Sequence, residues 1–126
     1  MDKCEELFEK NYPEYRRCKF FDTIDRLVRK KIKPIFVVGW QDAESTFIDS
    51  VWDDLDLALK RWNEIRNSII ADWKELATRT DIDEETYKRV LKNLSEIDPF
   101  KMDNHPFDEP FIIVLGLNDI NHKFDE

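Results

Sequence analysis

Glycine is almost missing from this chain, with two residues in 126. A loop that cradles phosphate needs several, because only glycine lets consecutive backbone N–H groups turn toward one anion, so glycine-rich nucleotide loops are excluded. Cysteine and histidine are equally scarce, at two each. A zinc site wants three or four ligands with local pairing. Cys4 and Cys18 have no second cysteine nearby, and His105 and His122 fall in a proline-rich stretch and in the tail. Neither a metal nor a cofactor is expected, and the cysteines read as small buried or half-buried thiols rather than a disulfide scaffold. No apolar run reaches the ~18 residues of a membrane span. Met1-Asp2-Lys3-Cys4-Glu5-Glu6 gives no apolar signal core. The expectation is one domain over residues 1–126, in the cytoplasm, without membrane contact.

What is present suffices for a core: 41% apolar residues, 13% of the chain aromatic. Asp2 to Asn11 reads as a short helix closed by Tyr12-Pro13, since a residue before proline avoids the helical region. From Glu14 to Lys33, Phe20, Phe21, Ile24, Leu27, Val28 and Ile32 recur at helical spacing. Asp22 is a possible cap for a shorter helix, and Tyr15–Phe21 could instead be extended. Ile35 to Trp40 is β-branched and aromatic except at Gly39, and its unbroken apolar character is that of a central strand covered on both faces. Ser45 to Trp52 reads as the second arm of a hairpin. A long helix then carries Leu55, Leu59, Trp62, Ile65, Ile69, Trp73 and Leu76 on one stripe. A further helix, capped by Asp81 or Asp83, turns Tyr87, Val90, Leu91, Leu94 and Ile97 inward. Asp98 to Pro110 is an irregular loop, Phe111 to Leu117 a last strand, and Ile120 to Glu126 a frayed tail. Gly39 and Gly116 stand at matching places in their strands, where glycine leaves room for a ring or permits a bulge. The order ααββααβ gives an α+β fold: a three-stranded, mainly antiparallel sheet with about four helices against one face.

Catalytic constellations are not apparent. No serine sits in a strand-to-helix elbow, and neither cysteine follows a strand. The paired carboxylates Asp53/Asp54/Asp56 and Asp81/Asp83/Glu84/Glu85 stand where helix caps and first turns belong. A non-enzyme is expected. His105 is the one candidate acid or base for an enzyme of unfamiliar type.

Charge is distributed unevenly. Residues 16–33 carry eight bases and two acids, whereas residues 34–126 carry 10 bases and 21 acids, within a net charge of -8. Such acidity repels duplex DNA. Clustered carboxylates can instead occupy the basic groove of a nuclease or another nucleic-acid-binding protein, where complementarity speeds encounter and sets specificity. The partner-binding residues expected are Trp52 as an anchor, Asp53, Asp54 and Asp56 around it, and Asp42, Glu44 and Ser45 at the hairpin tip. In the alternative, a small anion or nucleotide binds between the basic helix and the sheet, held by Arg16, Arg17, Arg26 and Arg29 with Tyr15 or Phe21.

The stretch Ile35-Phe36-Val37-Val38-Gly39-Trp40, Glu44-Ser45-Thr46-Phe47 and Ala58-Leu59-Lys60-Arg61-Trp62-Asn63-Glu64-Ile65 resembles the core of a small phage antitoxin family, the discriminator of mRNA degradation. The shared features are an apolar strand ending in Gly-Trp, a Glu-Ser-x-Phe turn and a following helix. The chain departs from that family in having two helices before the hairpin, and a helix and strand after it. The resemblance implies an inhibitor of bacterial RNase toxins, with contact through the Trp40 to Trp52 hairpin. Taken together, these readings anticipate an acidic inhibitor in the bacterial host cytoplasm, of phage or mobile-element type. Its protein partner would be a toxin, nuclease or defence protein, and a homodimer is compatible with the sequence.

Overall fold

A computed structural model describes residues 3–42, 44–100 and 109–118. Seven elements follow in the order α1 (Lys3–Lys10), α2 (Tyr12–Arg29), β1 (Pro34–Gln41), β2 (Thr46–Trp52), α3 (Leu55–Arg79), α4 (Glu84–Glu96) and β3 (Glu109–Gly116). The fold is α+β, with an open, wholly antiparallel sheet in the order β2-β1-β3. Of the stretch Asp98 to Pro110 expected as an irregular loop, residues 101–108 with His105 lie outside the described residues, and Glu109 and Pro110 belong instead to β3; the tail Ile120 to Glu126 with His122 also lies outside.

Asn11 ends α1 and caps α2: its Oδ1 accepts the Glu14 N–H at 3.3 Å, and Pro13 fills the first turn, where a missing N–H costs nothing. The second helix therefore starts earlier than Glu14, needs no cap at Asp22, and includes Tyr15–Phe21. It also stops four residues short of Lys33. Ile32 N–H donates to Leu27 O and Lys31 N–H to Val28 O, with Lys31 at φ 60°, which is a Schellman end built on a lysine rather than a glycine.

The turn at Asn11 also corrects the reading of the cysteines. Cys4 and Cys18 lie seven residues to either side of it, so folding α1 back on α2 brings their Cα atoms to 5.6 Å, and the two form a disulfide. Phe8 packs edge-on against Tyr12 and Tyr15 across the same corner, with ring centroids 5.7 and 5.1 Å apart.

The core lies between the sheet and the helices. Ala58, Trp62, Ile65 and Ile69 of α3 are buried against Phe36 and Val38 of β1 and Ile112 and Val114 of β3, joined by Phe20 and Leu27 of α2 and Val90 and Leu94 of α4. Each fully buried large side chain contributes roughly 1.5–3 kcal/mol. Asp54 caps α3 and Asp83 caps α4, each accepting from the backbone N–H three residues on. Val37 and Phe111, on the face turned away from this core, are nevertheless buried, in keeping with the apolar character of β1 on both faces.

Register along β2 is broken once. Val38 faces Ser50, but Gly39 faces Ile48, which leaves Asp49 as the extra residue of a β-bulge. A one-residue slip exchanges the faces of everything beyond it. Asp49 thus turns with Ser50 toward α3, Phe47 comes onto Trp40, and Ile48 is thrown to the opposite face. The bulge expected at Gly39 is present, and so is the ring: a Cβ on Gly39 would collide with the Phe47 carbonyl oxygen and lie 2.7 Å from Phe111 Cζ.

Candidate interaction surface

The seven partner-binding candidates do not converge. They fall into two groups at opposite ends of β2, separated by roughly 20 Å of extended chain. At the hairpin end, Asp42 Oδ1 accepts the Glu44 N–H at 2.9 Å and the Ser45 N–H at 2.7 Å, while Asp42 N–H donates to Ser45 O. This side-chain turn fixes the tip. At the other end, Asp54 caps α3 and Asp56 stands in its first turn. Asp53 meets Lys33 Nζ at 3.1 Å, and that ammonium holds its carboxyl below the usual aspartate range. Trp52 is no projecting anchor. Its ring is half-buried against the helical core, and its Nε1–H donates to Ser50 Oγ at 2.7 Å.

Between the two groups lies what sequence reasoning missed. Ile48 and Val51 are each 60% exposed on β2, on the face turned away from the helices. β2 is an edge strand: among the described residues it pairs with β1 alone. The unpaired backbone N–H and C=O groups of an edge strand are a ready template for another chain, and Ile48 and Val51 put apolar surface beside them. Period-two alternation would have put Val51 outward, but Ile48 inward. Only the bulge brings both to one face.

Electrostatics distinguish the ends of this strand from its middle. Residues 42–56 contain six acids and no base. Among the described residues, two of the six are matched: Asp53 by Lys33, and Asp49 by Arg61, whose Nη2 and Nε approach the carboxylate at 2.7 and 2.8 Å. The hydrogen bonds from Arg61 outweigh the desolvation of Asp49 and hold its carboxyl below the ordinary aspartate range. Asp42 and Glu44 at one end, with Asp54 and Asp56 at the other, frame the apolar middle.

The four arginines of the alternative reading form no common anion site. Arg16 and Arg26 are ten residues apart on α2, roughly 15 Å along its axis. Arg17 lies over the rings of Phe21 and Phe100, at 5.1 and 5.8 Å, and pairs with Asp98 at 3.6 Å. Arg29 pairs with Asp25 at 3.0 Å. Arg16 Nη1 reaches the Tyr12 hydroxyl at 3.5 Å. A cleft of about 680 Å³ does open between α1 and α2, but Glu6, Glu14, Asp22 and Asp25 on its walls outnumber Lys10 and Arg17, the wrong sign for phosphate. Among the described residues, no group of three or more histidines, cysteines or carboxylates could hold a metal ion, and no helix is long and apolar enough to cross a membrane.

No family model, curated protein or solved structure matches this chain.

Proposed function

We propose that this protein is a small, acidic, non-enzymatic inhibitor that binds and blocks a basic protein partner through the surface centred on β2. The observation that carries this reading is the pair Ile48 and Val51, exposed on an open edge strand with carboxylates at both ends. An apolar centre supplies affinity, and an acidic rim supplies encounter rate and choice of partner. The partner class is a bacterial toxin, nuclease or defence protein, and the site of action the host bacterial cytoplasm. The resemblance of residues 35–65 to a phage antitoxin family points the same way, and the hairpin it implicates contains β2.

The test is capture from a bacterial lysate on the immobilised protein, followed by an activity assay of whatever is retained. The expected result is one dominant basic protein, held at low salt, released at high salt, and inhibited when the chain is added back. An Ile48→Lys/Val51→Lys double variant is expected to retain none of it. Equal retention by the double variant, or turnover of a substrate by the purified chain itself, contradicts the reading.

A further inference from the structure

Strand β2 offers a partner more than side chains. As the outer strand of an antiparallel sheet, it presents every second backbone N–H and C=O away from β1 on either side of the Asp49 bulge, which interrupts the ladder spacing once. Such an edge is normally blunted by lysine, proline, a bulge, an inward-turned charge or a covering element. The residues of β2, Thr46 to Trp52, include neither lysine nor proline, and the blunting they do carry is confined to the bulge at Asp49, whose carboxylate turns inward onto Arg61; among the described residues no further strand pairs with β2.

Charge decides what can pair there. A second copy of the chain laid antiparallel along β2 would set Asp42 and Glu44 of one molecule against Asp54 and Asp56 of the other, at both ends at once. Laid parallel, it would set like ends together. Either way acid meets acid, which is destabilising. A segment with basic residues at both ends and branched or apolar residues between them meets no such barrier. Its lysines or arginines would reach the carboxylates at the two ends, and its central side chains would cover Ile48 and Val51.

We propose that β2 is an acceptor edge for strand addition, taking an extended, basic-ended segment of its protein partner as the fourth strand of the sheet. This rests on the inhibitor reading above and specifies the partner's chemistry. The main-chain hydrogen bonds give affinity, and the side chains on alternate positions give specificity.

The probe is a short synthetic peptide of alternating valine and threonine with a lysine pair at each end, about the length of β2, titrated into the intact protein. Backbone amide exchange and NMR shifts are the readout. The expected result is protection confined to residues 46–52, weakened at least several-fold by high salt. Binding is expected to vanish when the lysines are replaced by glutamates, when alternate peptide nitrogens are methylated, or in the Ile48→Lys/Val51→Lys variant. The methylated peptide keeps charge and apolar surface but cannot complete the ladder, so equal binding by it overturns strand addition. Protection elsewhere on the protein, or protection of β2 that rises with protein concentration in the absence of peptide, also overturns the proposal. If the peptide fails while the captured partner still depends on Ile48 and Val51, strand addition falls and the inhibitor reading stands.

Discussion

The ring of Phe111 stands where a side chain on Gly39 would be. The two residues face each other across β1 and β3, and a Cβ at position 39 would come within 2.7 Å of Phe111 Cζ while also striking the Phe47 carbonyl oxygen at the bulge. Gly39→Ala is expected to lower unfolding stability by roughly 1–3 kcal/mol, in the range of overpacked cores. Phe111→Ala in the same molecule relieves the ring but not the carbonyl, so the double variant should be less stable than Gly39→Ala alone. Denaturant unfolding of the two variants decides; recovery in the double variant would mean that the ring alone opposes the Cβ.

Asp49 and Arg61 give the fold a defined acid sensitivity. Asp49 binds its proton more weakly in the folded chain than in the unfolded one, because the Arg61 guanidinium donates to both carboxylate oxygens. The stabilisation is complete above the unfolded aspartate value of about 3.9 and disappears as pH falls through the lower native value. Asp49→Asn is therefore expected to be less stable than the parent at neutral pH, with the gap closing in acid. A gap that stays constant with pH would show that the pair does not act through its charge.

The disulfide ties α1 to α2, the helix it packs against. The principal packing of α1 is against α2, and β2 is in contact with β1 and α3. Closing a loop of this length is worth about 3 kcal/mol in the chain-entropy account. Reduction is expected to free the amides of residues 3–10 to exchange, leave those of β1 protected, and leave partner capture through β2 unchanged. That last point matters under reducing conditions, where the bridge would not persist. Loss of protection in β1 to the same extent would show that the bridge supports the whole fold.

Asp54 combines a structural duty with a place on the acidic rim. Its Oδ1 accepts the Leu57 N–H at 3.1 Å. Asp54→Ala should cost about 1 kcal/mol, whereas Asp54→Asn keeps an equally good cap and changes stability by only a few tenths. Partner affinity is expected to fall in both, because both remove the charge. If only Asp54→Ala loses affinity, the residue contributes through helix α3 and not through its charge.

Much of this architecture is legible in the order of residues. The stripe from Leu55 to Leu76 announces a helix that must cover a sheet, although Leu76 itself is exposed, and Ile35 to Trp40 announces the central strand, because both patterns are long and strongly periodic or unbroken. Gly39 is legible too, as the one position in its strand without a side chain. The interaction surface is less so. Asp42 and Asp53 look close in the sequence, but the intervening strand is extended and holds them apart. The exposure of Ile48 follows from an extra residue in the ladder, which depends on the register against β1 and leaves no mark in local alternation. The pairing of Cys4 with Cys18 depends on a helical corner at Asn11. Its only trace is the equal spacing on either side.

The most direct test is the affinity of the captured partner for the parent protein and for the Ile48→Lys/Val51→Lys variant, measured by calorimetry on samples matched in thermal stability. The account predicts a loss of at least tenfold, on the order of 1.4 kcal/mol or more, without change in melting. Equal affinity for the two proteins would contradict it.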